Sequence, residues 1–135
     1  AKENIQASGL QDRPVRYIVD DVVKFVNREI RRENKYDAII MDPPSYGRGA
    51  GGEVWKFEEN IVSLVELCAK VLSENPLFFL INSYTTGISS MVLEDILRLK
   101  MSPKYAGKIE HGEIGLPMKN SKLILPCGIY GRWEK

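Results

Sequence analysis

Asp42 closes a short apolar, β-branched run, Ala38-Ile39-Ile40-Met41, and is followed at once by Pro43 and Pro44. Such a run reads as a buried strand, and the prolines and glycines beyond it read as the turn at its carboxyl end. In open α/β sheets ligands bind at strand ends of this kind. Pro43 holds Asp42 in extended backbone and Pro44 does the same to Pro43, so the carboxylate is aimed rather than left floppy. Gly47, Gly49, Gly51 and Gly52 follow, and they allow backbone shapes with which the loop could move over a bound ligand. A second pair of acids, Asp20-Asp21, closes another apolar run, Val15-Arg16-Tyr17-Ile18-Val19. Plainer readings stand beside the chemical ones. Asp42-Pro43-Pro44 could simply stop a strand, and Asp20 and Asp21 could simply cap the helix that follows.

The elements that must position these acids alternate between strand and helix. Residues 1–10 look like the end of a helix, good helix formers running into Gly9 as a left-handed stop. Residues 15–19 predict a strand. Val22, Val23, Val26 and Ile30 then fall at helical spacing. After the glycine loop, residues 58–72 predict a core-facing helix that Asn75-Pro76 ends. Residues 77–81 form a continuous apolar run, as in a central strand covered on both sides. A polar loop, 82–87, leads to a further helix capped by Ser89 or Ser90 and closed by Pro103. Residues 104–113 read as a weak strand, Gly115-Leu116-Pro117 as a turn and 123–125 as a last strand, the two pairing as an antiparallel hairpin at a sheet edge. The expected class is an α/β three-layer domain.

Composition narrows the partners. The chain has 135 residues, 44% of them hydrophobic and 27% charged, which suits one domain with a real core. Nineteen Lys and Arg against eighteen Asp and Glu give a net charge of +1, so no global field points to nucleic acid or membrane. No apolar run approaches membrane-spanning length and the first residues resemble no targeting peptide, so the cytoplasm is the default location. Cys68 and Cys127 lack metal-ligand spacing; both are expected as free thiols with packing roles, and no zinc site is expected. His111 lacks a partner acid at useful sequence spacing. Arg28, Arg31, Arg32 and Lys35 could meet phosphate, although a solvated helix face explains them as well. A metal-dependent nucleotide site on Asp42 finds no glycine-lysine phosphate loop to support it.

Order and residues together resemble the class I S-adenosylmethionine-dependent methyltransferases, and among them the ribosomal large-subunit RNA methyltransferase-like group. The resemblance runs from Ala1-Lys2-Glu3-Asn4 and Ser8-Gly9-Leu10 through Val19-Asp20-Asp21-Val22 and Lys24-Phe25 to the stretch from Tyr36 to Tyr46. It continues in Asn82-Ser83-Tyr84 and in Leu125-Pro126-Cys127-Gly128 with Gly131-Arg132-Trp133. It implies a Rossmann-like methyltransferase fold with S-adenosyl-L-methionine as cofactor. Asp21 would then accept a hydrogen bond from the adenine amino group, and Val22 would offer its amide and side chain to the ring. Asp42, Pro43, Pro44, Ser45 and Tyr46 match the motif beside the transferred methyl, where backbone and acid orient a target base and the aromatic ring packs on it.

Two departures qualify the match. Relatives that methylate cytosine carbon carry a cysteine where this chain has Asn82-Ser83-Tyr84-Thr85, so a base nitrogen in RNA, ribosomal by resemblance, is the expected target. The family's glycine-rich loop after the first strand, and the acid after the second, have no counterpart before Gly47. The resemblance therefore implies that residues 1–135 are a carboxyl-terminal, partial catalytic domain. On that reading the fragment alone is inactive, binds the cofactor weakly, and either self-associates or places its first strand differently to cover strand edges left bare. The competing expectation is a non-catalytic α/β module for RNA binding or assembly.

Overall fold

A computed structural model describes residues 1–49 and 52–135; the expectation for Gly51 lies outside the described residues. In chain order the elements are α1 (Lys2–Ala7), α2 (Val22–Arg31), β1 (Ala38–Met41), β2 (Tyr46–Arg48), β3 (Val54–Lys56), α3 (Phe57–Ala69), β4 (Phe78–Ser83), α4 (Ser90–Met101), β5 (Lys108–Pro117) and β6 (Ile124–Glu134). A four-stranded sheet runs in the order β1-β4-β6-β5, with β1 and β4 parallel and the other pairs antiparallel. The second sheet is the small hairpin β2-β3.

Register explains how the core forms. Ile39, Phe79 and Trp133 align across β1, β4 and β6, and so do Met41, Ile81 and Gly131. Alternate residues share one face of a strand, so these rows form the floor on which the helices lie. Ile61, Leu64, Val65 and Cys68 from α3 and Leu93, Ile96, Leu97 and Met101 from α4 are buried with them. Each fully buried aliphatic side chain contributes about 2 kcal/mol. Gly131 permits this packing, since a Cβ there would lie 2.7 Å from Cβ of Leu93.

Several elements depart from expectation for identifiable reasons. Residues 15–19 form no strand: they join no ladder among the described residues, Val15 N donates only to Arg13 O at 2.8 Å, and Val19 is fully exposed. A strand exists through its partner's backbone groups, and alternation along one chain cannot supply them. The glycine loop holds the β2-β3 hairpin, whose three-residue strands are too short for periodicity to reveal. Phe78 and Leu80 are only half-buried whereas Phe79 and Ile81 are fully buried, so β4 has one tightly covered face. Gly115-Leu116-Pro117 is strand, not turn: β5 shifts register between Ile114 and Gly115 and continues to Pro117. The register shift leaves Cys127 of β6 as the extra residue of a bulge while Gly115 stays paired with Pro126, and an edge strand tolerates the proline. The hairpin turns instead around Asn120 at φ 60°, closed by Met118 N donating to Leu123 O at 3.1 Å. The predicted stop at Gly9 is present, at φ +65°, with Leu10 N donating to Ile5 O at 3.0 Å. No helix among the described residues is long and apolar enough to cross a membrane.

Candidate functional site

Parallel pairing of β1 with β4 sends both carboxyl ends to the same side of the sheet, Met41 opposite Ile81. The chain leaves β1 through Asp42, Pro43 and Pro44 and is then tied down three times. Trp55 Nε1 donates to the Pro44 carbonyl at 2.7 Å, Phe57 N donates to the Ser45 carbonyl at 3.0 Å, and Thr85 Oγ1 donates to Ser45 Oγ at 2.9 Å. Phe57 is fully buried, so this turn is held from the core. Asp42 is exposed, and no described residue donates to its carboxylate.

The other acidic end is built by α2. Asp21 is its N-cap, with Oδ1 accepting from Lys24 N at 2.8 Å. That satisfies one of the unpaired amides of the first turn and leaves the second carboxylate oxygen available. Asp20 braces the cap by accepting from Asp21 N at 2.8 Å and pairing with Arg28. The Arg28 hydrogen bond, above all, holds the Asp20 carboxyl below the usual range.

Both ends open into one cavity of about 680 Å³, which Asp21, Val22, Asp42, Pro43 and Pro44 all line. Its walls are mainly apolar, from Val23, Phe25, Ile39, Ile40 and Met41, with Arg48 and Trp55 on the hairpin side. A mostly apolar cleft with a few convergent polar groups suits a flat heterocycle bearing an amino group. Tyr46 stands apart from the cavity lining. It is 52% exposed on β2, and its hydroxyl accepts from Arg48 Nε at 2.9 Å. Arg48 and Trp55 were not singled out from the sequence; the one signal for them was their place within and just after the glycine loop that follows the motif.

Other candidates resolve individually. Cys68 is buried and also lines the cavity, and burial pushes its thiol up to about 11. Cys127 does not pack in the core: it is exposed, its Sγ donating to Leu125 O at 3.3 Å. It lies where β5 and β6 have run past Ser83, the end of β4, so nothing there buries it. His111 does have a partner acid, because the fold brings α4 against β5. Its Nε2 lies 3.1 Å from Glu94 Oε2, and its Nδ1 lies 2.9 Å from Ser90 Oγ. Arg28, Arg32 and Lys35 are engaged with Asp20, Glu29 and the Lys70 carbonyl. Ser83 is buried and Tyr84 is 59% exposed at the end of β4.

No family model matches the chain. It is 22% identical over 125 residues to the Ribosomal RNA large subunit methyltransferase K of Neisseria meningitidis serogroup B, an alignment covering 91% of this chain and 33% of that protein. Among solved structures, it is similar to the SAM-dependent methyltransferase from Agrobacterium tumefaciens, with a TM-score of 0.85 and 31% identity over 98% of this chain and 44% of the other. It is also similar to SMU.776 complexed with SAH, with a TM-score of 0.67 and 18% identity over 97% of this chain and 34% of the other. The chain thus spans 33% of the curated relative and 34–44% of these two solved ones.

Proposed function

We propose, from the class I S-adenosylmethionine-dependent methyltransferase fold that this chain has, that the whole protein methylates a base nitrogen of RNA, with ribosomal RNA as the substrate class. The observation that carries this reading is the meeting of Asp21-Val22 and Asp42-Pro43-Pro44 in one cavity. The residues present suit the adenine end of the cofactor: Asp21 keeps an oxygen for an amino group, and Val22, Val23 and Ile39 offer apolar surface to a ring. Bound there, the cofactor supplies an electrophilic methyl group on a sulfonium. Methyl transfer demands alignment and exclusion of water more than a shifted base.

Asp42 and the Pro43 carbonyl are two acceptors at the strand tip, and no described residue donates to either. Together they can hold both hydrogens of an amino nitrogen and so aim its lone pair. Asp42 can then receive, or pass to water, the proton shed as the N–C bond forms and the methyl's C–S bond breaks. Asn82-Ser83-Tyr84-Thr85 at the end of β4 offers no thiol for addition to a pyrimidine ring, which favours nitrogen over carbon. The name of the neisserial relative supports ribosomal RNA as the class. Tyr46, exposed beside the turn, is available to stack on a displaced base.

Asp42→Ala in the full-length protein tests the reading. Transfer of labelled methyl from S-adenosylmethionine to unmodified large-subunit ribosomal RNA should fall about a hundredfold. The melting temperature should hold, because Asp42 is exposed and its carboxylate makes no hydrogen bond or ion pair among the described residues. Undiminished transfer by the folded variant would remove Asp42 from the chemistry.

A further inference from the structure

We propose that Trp55 is a positioning residue of this site: its indole N–H occupies the Pro44 carbonyl, so that the Pro43 carbonyl is presented beside Asp42 as the acceptor a substrate amino group meets. The proposal rests on the base-nitrogen reading above and deepens it.

Consecutive prolines have no N–H, so the turn cannot organise itself with its own backbone donors. Its carbonyls are taken by others or left open. Trp55 Nε1 reaches the Pro44 carbonyl at 2.7 Å and Phe57 N reaches the Ser45 carbonyl at 3.0 Å, while among the described residues nothing donates to Pro43. The donor is itself fixed. Trp55 lies opposite Gly47 in the β2-β3 ladder, two residues before the fully buried Phe57 that opens α3. A Cβ added at Gly47 would sit 3.9 Å from both Pro44 Cγ and Trp55 Cβ, so the turn and the Trp55 side chain flank the same backbone position. Trp55, Pro44 and Asp42 line the same cavity. Two free carbonyls side by side would offer an amine two registers, and engaging one of them leaves a single register.

Trp55→Phe in the full-length protein keeps a ring and removes the donor. Hydrogen exchange at the Phe57 amide and across residues 43–57 should accelerate about fivefold, the size of one lost net hydrogen bond. Methyl transfer to unmodified large-subunit ribosomal RNA should lose roughly tenfold in kcat, with KM for S-adenosylmethionine unchanged, because the adenine end at Asp21 is not touched. A rise in that KM equal to the fall in kcat would indicate general loosening and overturn the positioning role. Unchanged exchange would overturn the latch itself. Absence of transfer by the wild-type protein would sink the base-nitrogen reading and the acceptor role resting on it, while exchange would still decide whether Trp55 holds the turn.

Discussion

Glu29 is 1% exposed, and its carboxylate accepts from the Tyr36 hydroxyl, from Asn34 Nδ2 at 2.9 Å and from Arg32 at 3.3 Å. The Tyr36 hydrogen bond first, then that of Asn34, holds its carboxyl below the ordinary value. Burial, followed by the same partnership, pushes the Tyr36 phenol up. The cluster sits where the chain turns from α2 into β1, so it fixes the geometry between the Asp21 and Asp42 ends of the cavity. A carboxyl whose folded pKa is depressed adds stability above its unfolded value and loses it as pH falls through the folded value. Glu29→Gln should therefore melt lower than wild type near neutral pH, and the gap should close on acidification below about pH 4. Melting curves across that range check it. A gap independent of pH would show that the carboxylate's charge is irrelevant to the cluster.

At the scale of elements, Asp21 both starts a helix and faces a cavity, and the two roles separate by substitution. Asn caps nearly as well as Asp, whereas Ala gives up about 1 kcal/mol. Asp21→Ala should thus lose stability and affinity for S-adenosylmethionine together in the full-length protein, and Asp21→Asn should keep stability while losing affinity. Calorimetry beside thermal melts reads the difference. Equal affinity in Asp21→Asn would mean that capping is all the residue does. Asp21 as a cap, and Asp42 at a strand tip, were legible because each rests on a local rule of one or a few residues. The helices α2, α3 and α4 were legible because their apolar faces repeat over more than two turns. The end of α3 was not: residues 70–72 tighten into bonds back to Leu67, Cys68 and Ala69, and an apolar period continues through such a turn unchanged. Pairing across distance was hidden as well. Nothing local tells that β5 persists through Pro117, that Trp55 reaches Pro44, or that Glu94 meets His111.

For the 135-residue chain as a whole, the decisive feature is an edge. β1 pairs with β4 and with no other described strand, so its outer backbone groups are open. Residues 15–19 join no strand ladder among the described residues, Val19 is fully exposed, and Ile40 is 65% exposed on the face of β1 away from the helices. Val22 and Val23, at 48% and 42%, continue this apolar border around the cavity mouth. An open edge next to exposed aliphatic surface is a template for another strand. The chain should self-associate in light scattering, with the amides of residues 15–19 gaining protection as concentration rises. Ile40→Lys should weaken association with little change in the melt, because the side chain it replaces already faces water and a charge on an edge opposes pairing. With the same border open, S-adenosylmethionine should bind this chain more weakly than about micromolar, since a cleft open along one side buries less of a ligand. Micromolar binding to a monodisperse monomer whose residues 15–19 exchange freely would mean that the open edge costs neither solubility nor affinity, and that α2 and the β1 turn suffice to form the pocket.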